Sequence, residues 1–150
     1  MAPVLVLLSS FVLARIAGRL GVRQVSSPRD SGRAGLSAMF LFTGATHFSG
    51  MKEDYLAMAP DALPKSPRLI SLVGALQIAG ALGLLLRRTQ RLAGRALVLL
   101  LVAMFPANVN AAVKGIPFRG RPPTPLWIRA PMQVLFIAAV LWSSGGDSSR

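Results

Sequence analysis

Five polar side chains stand within or at the ends of apolar runs: His47, Gln77, Asn108, Arg129 and Gln133. His47 is the only histidine in the chain and sits near the end of the stretch FLFTGATHFSG, residues 40–50. An imidazole changes charge near neutral pH, so it can carry a proton or hold a ligand there. It can equally be a boundary residue where an apolar helix reaches the surface. Arg129 is permanently charged and, away from water, needs an acceptor or an anionic ligand, unless it snorkels to the headgroups. Gln133 is four residues on and shares its helical face. Asn108 follows Pro106, so its amide serves either a ligand or the backbone groups that a proline leaves unpaired. Gln77 can donate and accept but cannot titrate; its simpler use is to bind two helices together.

Other chemistries are closed to the chain. It has no cysteine, which removes thiolate nucleophiles, dithiol exchange and thiolate-held metal. One histidine cannot supply a two-histidine haem or zinc site, and no metal site is expected.

The elements that must position these residues follow from composition. Of 150 residues, 53% are hydrophobic and only 15% charged, and mean hydropathy is +0.54. Soluble domains carry about 25% charged residues, so the chain reads as a single all-α domain in a membrane, with the lipid bilayer as its first partner. The net charge of +12 does not mean nucleic acid. The arginines fall between apolar runs and are not interleaved with aromatics on one face.

Five apolar segments have spanning length: residues 2–20, 34–51, 69–86, 92–113 and 126–142. A helix crossing a bilayer takes roughly 17–25 residues and satisfies its own backbone in lipid. The first segment has its arginines after the apolar core and none before it, so it reads as a retained helix and not a cleaved signal. Within the third, Ala75, Ala79 and Gly83 form a four-residue stripe expected to pack against a neighbour. The tail, residues 143–150, is expected to be disordered.

Loop charge orients the bundle. Arg15, Arg19, Arg23, Arg29 and Arg33 in the first loop, and Arg87, Arg88, Arg91 and Arg95 in the third, belong in the cytoplasm. The second loop is nearly neutral and belongs outside. The N-terminus is then outside and the C-terminus cytoplasmic. A fourth loop, KGIPFRGRPPTP, is basic yet falls outside, so either the orientation is wrong or its charges have another task. In this arrangement His47, Asn108, Arg129 and Gln133 share the outer half, with Gln77 about 13 Å deep at 1.5 Å per residue. Glu53, Asp54 and Asp61 are the acids available to Arg129 on that side.

The same residues, in the order THF, PDALP, VGALQIAGALGLLL, FPANVNAA and RAPMQ, resemble the DoxX family of small bacterial membrane proteins. The resemblance covers residues 33–142. It implies a four-helix membrane core, with residues 2–20 as an added first helix, in the bacterial inner (plasma) membrane. Some DoxX members are thiosulfate:quinone oxidoreductase subunits, and others accompany oxidative-stress enzymes. The resemblance therefore implies a subunit or accessory factor in quinone-linked redox chemistry. Quinone would be the ligand and a redox or oxidative-stress protein the partner; a homo-oligomer is left open. Family members often have glutamate where this chain has Gln77, which removes a titrating group from that position. The alternative is a non-enzymatic scaffold in which the polar cluster is structural and Arg129 pairs with a loop-two acid. A transporter is disfavoured, because Pro106 interrupts one helix without a counterpart elsewhere.

Overall fold

Serine and proline decide where the central helix starts. Ser27 accepts the backbone N–H of Asp30 at 3.0 Å and donates to its carboxylate at 2.7 Å, and Pro28 fills the first helical position. This closes the N-terminus from both sides. The computed structural model describes residues 2–61 and 64–145. In order it contains α1 (Ala2–Arg19), a short 3-10 turn (Arg23–Val25), α2 (Pro28–Thr46), α3 (Lys52–Met58), α4 (Pro67–Leu85), α5 (Gln90–Lys114) and α6 (Leu126–Ser144). The fold is all-α, with 77% helix and no strand among the described residues.

The middle of the bundle is α2, which packs against α1, α4 and α6, while α5 lies between α4 and α6. The core joins Leu36, Met39 and Phe40 of α2 to Ala81 and Leu84 of α4, Leu97 of α5, and Phe136 and Val140 of α6. Small residues let the backbones close. A side chain at Gly44 would meet the Gly74 carbonyl oxygen at 3.0 Å, and one at Gly74 would meet the Gly44 oxygen at 2.9 Å. The crossing of α2 and α4 is therefore nearly backbone on backbone. Ser37 of α2 donates to the Ala81 carbonyl at 2.8 Å, which satisfies a fully buried hydroxyl.

Four helices, α1, α4, α5 and α6, are long and apolar enough to cross a membrane, which is compatible with a multi-pass membrane protein. Their outer faces agree: Leu5, Leu13, Leu92, Leu99 and Val134 are each at least 66% exposed. So much exposed leucine and valine calls for lipid or a partner. The helix that falls short is α2. Arg29, Asp30 and Arg33 occupy its first two turns, and glycine and serine make up much of its buried surface. Its face meets helices, so its composition is that of an interior and not of a lipid contact.

Several expectations need correction. Hydropathy sets the second segment at 34–51, but the Ser27 cap starts α2 six residues earlier, and the chain turns at residues 47–51. The second loop contains a helix, α3, that hydropathy could not reveal. Of the expected stripe, Gly83 does pack closely on a neighbour, Ala93 of α5, but Ala75 and Ala79 face outward; the buried face of α4 is Gly74, Gln77, Gly80, Ala81 and Leu84. Residues 143 and 144 continue α6, where Ser143 is buried; the rest of the tail, from residue 146, lies outside the described residues.

Candidate functional site

One end of the bundle gathers the start of α1, the end of α2, the start of α4, the end of α5 and the start of α6. A cavity of about 630 Å³ lies there, lined by His47, Gln77, Asn108, Arg129 and Gln133 together. Its apolar wall includes Met39, Phe40, Met104, Met132 and Phe136. Volume and lining fall within the range of small-molecule sites, about 300–1,000 Å³ with few placed polar groups.

Each polar residue is positioned differently. His47 is 2% exposed and its Nδ1 lies 2.9 Å from the Thr43 carbonyl, one helical turn back. A carbonyl can only accept, so in this bond Nδ1 carries the proton, and in the neutral ring Nε2 keeps its lone pair. Gln77 is 3% exposed. Its Oε1 accepts from Thr43 at 2.8 Å, and its Nε2 donates to the Met104 sulfur at 3.3 Å. Gln133 Nε2 donates to the Leu101 carbonyl at 2.6 Å, tying α6 to α5. Asn108 makes no side-chain hydrogen bond among the described residues, so it does not repair the backbone at Pro106. Arg129 is half-buried and forms no ion pair or hydrogen bond among the described residues.

Two of the three loop-two acids serve other partners. Asp61 accepts from Lys114 at 2.6 Å and lies 3.3 Å from Lys65. Asp54 accepts the Arg119 backbone N–H at 3.2 Å. The expected pairing of Arg129 with one of these acids is not present.

A cap covers this end. Tyr55 of α3 stacks on His47, ring centroids 4.1 Å apart and planes within 10°, and Phe118 lies 5.1 Å beyond it. Phe118 and Arg121 exchange backbone hydrogen bonds at 2.9 and 3.1 Å across a two-residue turn. Both turn residues are left-handed, Arg119 at φ 55° and Gly120 at φ 68°, which is the mirror-image turn that suits a tight hairpin. Asn110 donates to the Met58 and Ala59 carbonyls at 3.0 and 3.3 Å and pins the end of α3 to α5. Burial pushes the Tyr55 phenol above its ordinary pKa, opposed by its hydrogen bond to Thr46 and by the charge of Arg129. It is therefore neutral at pH 7 and supplies no counter-ion.

Tyr55, Phe118, Thr43 and the methionines of the cavity do not stand out in the sequence as site residues. Thr43 could have been found, since it stands four residues before His47 on the same helical face. Tyr55 is the only tyrosine, but nothing in a loop sequence says that it folds back over a histidine.

Fold and cavity together define a helical bundle with four membrane-length apolar helices and a polar-lined cavity at one end. Residues 36–144 match the family described as Domain of unknown function (DUF8561), and the chain belongs to that family. The match takes in α3, α4, α5, α6 and most of α2. No curated protein and no solved structure matches the chain.

Proposed function

We propose that this is a multi-pass membrane protein that binds a small amphipathic molecule in the cavity, as a subunit or accessory factor in quinone-linked redox chemistry. The observation that carries the binding reading is the convergence of five polar side chains from four helices on one cavity with a methionine- and phenylalanine-lined wall. Quinone is suggested by the resemblance to the DoxX family. A quinone has a flat apolar ring and carbonyl oxygens, and Arg129 and Asn108 have donors not used among the described residues to meet such oxygens. His47, buried in the cavity wall, would be the group that exchanges a proton.

In the proposed topology α2 also spans, as the sheltered fifth helix, and the cavity faces outside. Nine arginines, from Arg15 to Arg33 and from Arg87 to Arg95, lie towards the other end, opposed only by Asp30 among the described residues. That asymmetry supports a cytoplasmic location for the arginine-rich end.

The test is purification in mild detergent followed by mass spectrometry of the small molecules that remain bound. A quinone at near one per chain, lost in Asn108→Ala, is the expected result. No bound small molecule, with a partner protein retained, would favour the scaffold reading. Gln77 and Gln133 tie helices together as the scaffold reading expects, but its expected ion pair at Arg129 is missing.

A further inference from the structure

The charge balance of the cavity says more about its ligand than its shape does. Arg119, Arg121 and Arg129 all line it, and among the described residues no aspartate or glutamate does. Of the nearby acids, Asp54 is turned to the Arg119 backbone and Asp61 to two lysines. His47 donates from Nδ1 to a backbone carbonyl, and the Tyr55 hydroxyl is 2.7 Å from Thr46. The described side chains that share the cavity lining with Arg129 are thus neutral or cationic. A half-buried guanidinium with no acceptor is costly unless something completes it. Arg119 and Arg121 are exposed at the rim, where like charges attract an anion towards the mouth. This also gives the basic fourth loop a task that does not depend on topology.

We propose that the ligand of this cavity is an anion: an apolar body that carries one acidic oxygen. The oxygen sits against the Arg129 guanidinium with the Asn108 amide beside it, and the body lies along Met39, Met104, Met132 and Phe136. Methionine suits such a wall because its unbranched thioether adapts to ligand shape. The inference rests on the cavity reading above and narrows it. Among quinones, those with an ionised ring hydroxyl fit, and neutral ones lack the charge that Arg129 requires.

The test compares two probes of nearly equal size, 2-hydroxy-1,4-naphthoquinone, whose hydroxyl is ionised at pH 7, and its neutral methyl ether. Binding to the purified full chain in detergent is read by quenching of tryptophan emission, with calorimetry as a second measure. Wild type should bind the hydroxy compound at least tenfold more tightly. The preference should disappear in Arg129→Gln, return in Arg129→Lys, and shrink as salt is raised. If Arg129→Gln does not fold, a pH titration of wild type decides, because the preference must fade as the probe's own hydroxyl is protonated. Equal affinity for both probes would overturn the anion and leave the cavity reading intact. Binding of neither would overturn the quinone reading and this inference with it.

Discussion

The crossing of α2 and α4 sets the position of two site residues, so a single methyl group there should be felt. At Gly74 an added Cβ would lie 2.6 Å from the His47 Cβ and 2.9 Å from both the Gly44 carbonyl oxygen and the Phe48 ring. Ordinary contact begins near 3.4 Å, so the two helices must part by about 0.8 Å at this point. Two of the three obstacles, a backbone oxygen and a Cβ, cannot rotate away. Overpacking of this kind costs about 1–3 kcal/mol, and replacing a mid-helix glycine by alanine recovers up to about 1 kcal/mol. Gly74→Ala should therefore be destabilising by about 1–2 kcal/mol, a fall in Tm of about 2–8 °C for a chain of this size. The assay is thermal unfolding in detergent, with Gly50→Ala as control, since nothing lies within 4 Å of a side chain at Gly50. Ligand affinity should fall as well, because His47 and Gln77 both ride on this crossing. A Gly74→Ala protein as stable as wild type, with Gly50→Ala unchanged, would refute the close approach.

Other consequences are open to direct measurement. Thr43→Val removes the donor to the buried Gln77 oxygen and should cost about 1–3 kcal/mol by chemical or thermal unfolding. Loss of the Ser27 cap in Ser27→Ala should cost about 1 kcal/mol in the same assay. The chain has no cysteine, so introduced thiols report topology cleanly. Lys52→Cys should react with a membrane-impermeant maleimide added outside intact cells, and Arg91→Cys only after permeabilisation. The reverse pattern would invert the proposed orientation. Hydrogen bonds from Lys114 and Lys65 hold the Asp61 carboxyl below its ordinary pKa. A depressed folded value means that its contribution is present above the ordinary carboxylate range and lost as pH falls through the folded value. The Tm difference between wild type and Asp61→Asn should thus be seen at neutral pH and disappear as pH falls through the depressed folded value; a difference that persists in strong acid would exclude the ion pairs as its source.

Polar residues inside apolar runs are conspicuous because lipid-facing positions exclude them, which is why His47, Gln77, Asn108, Arg129 and Gln133 could be named from sequence and do line one cavity. Helix order and approximate length were legible for the same reason. What hydropathy could not show was contact. Of the stripe Ala75–Ala79–Gly83 only Gly83 meets a neighbouring helix; the alanines resemble the packed Gly74 and Gly80 in size, and only the partner helix distinguishes them. The start of α2 was signalled by Ser27, Pro28 and Asp30, but these lie outside the apolar stretch and its hydropathy hides them. The cap over the cavity depends on Tyr55 reaching His47 and on Asp54 reaching the Arg119 turn, contacts between segments separated by up to 65 residues with no local pattern to predict them.

The composition of α2 bears on how the chain is made. With Arg29, Asp30 and Arg33 at its start and Ser31, Gly32, Gly35 and Ser37 on its buried face, this helix has little to hold it among acyl chains alone. On the proposed topology it cannot leave the translocation machinery by itself, as α4 or α5 can. It needs a companion during synthesis, and α1 is already there: it is apolar, packed along α2 and joined to it by only eight residues. The two would partition into the bilayer as one hairpin, with α1 supplying the affinity for lipid. Although α1 stands outside the family match, it would then act as the delivery partner of the helix around which the rest assembles. Polar changes on its outer face at Leu5 or Leu13 should lower yield before they alter the finished fold.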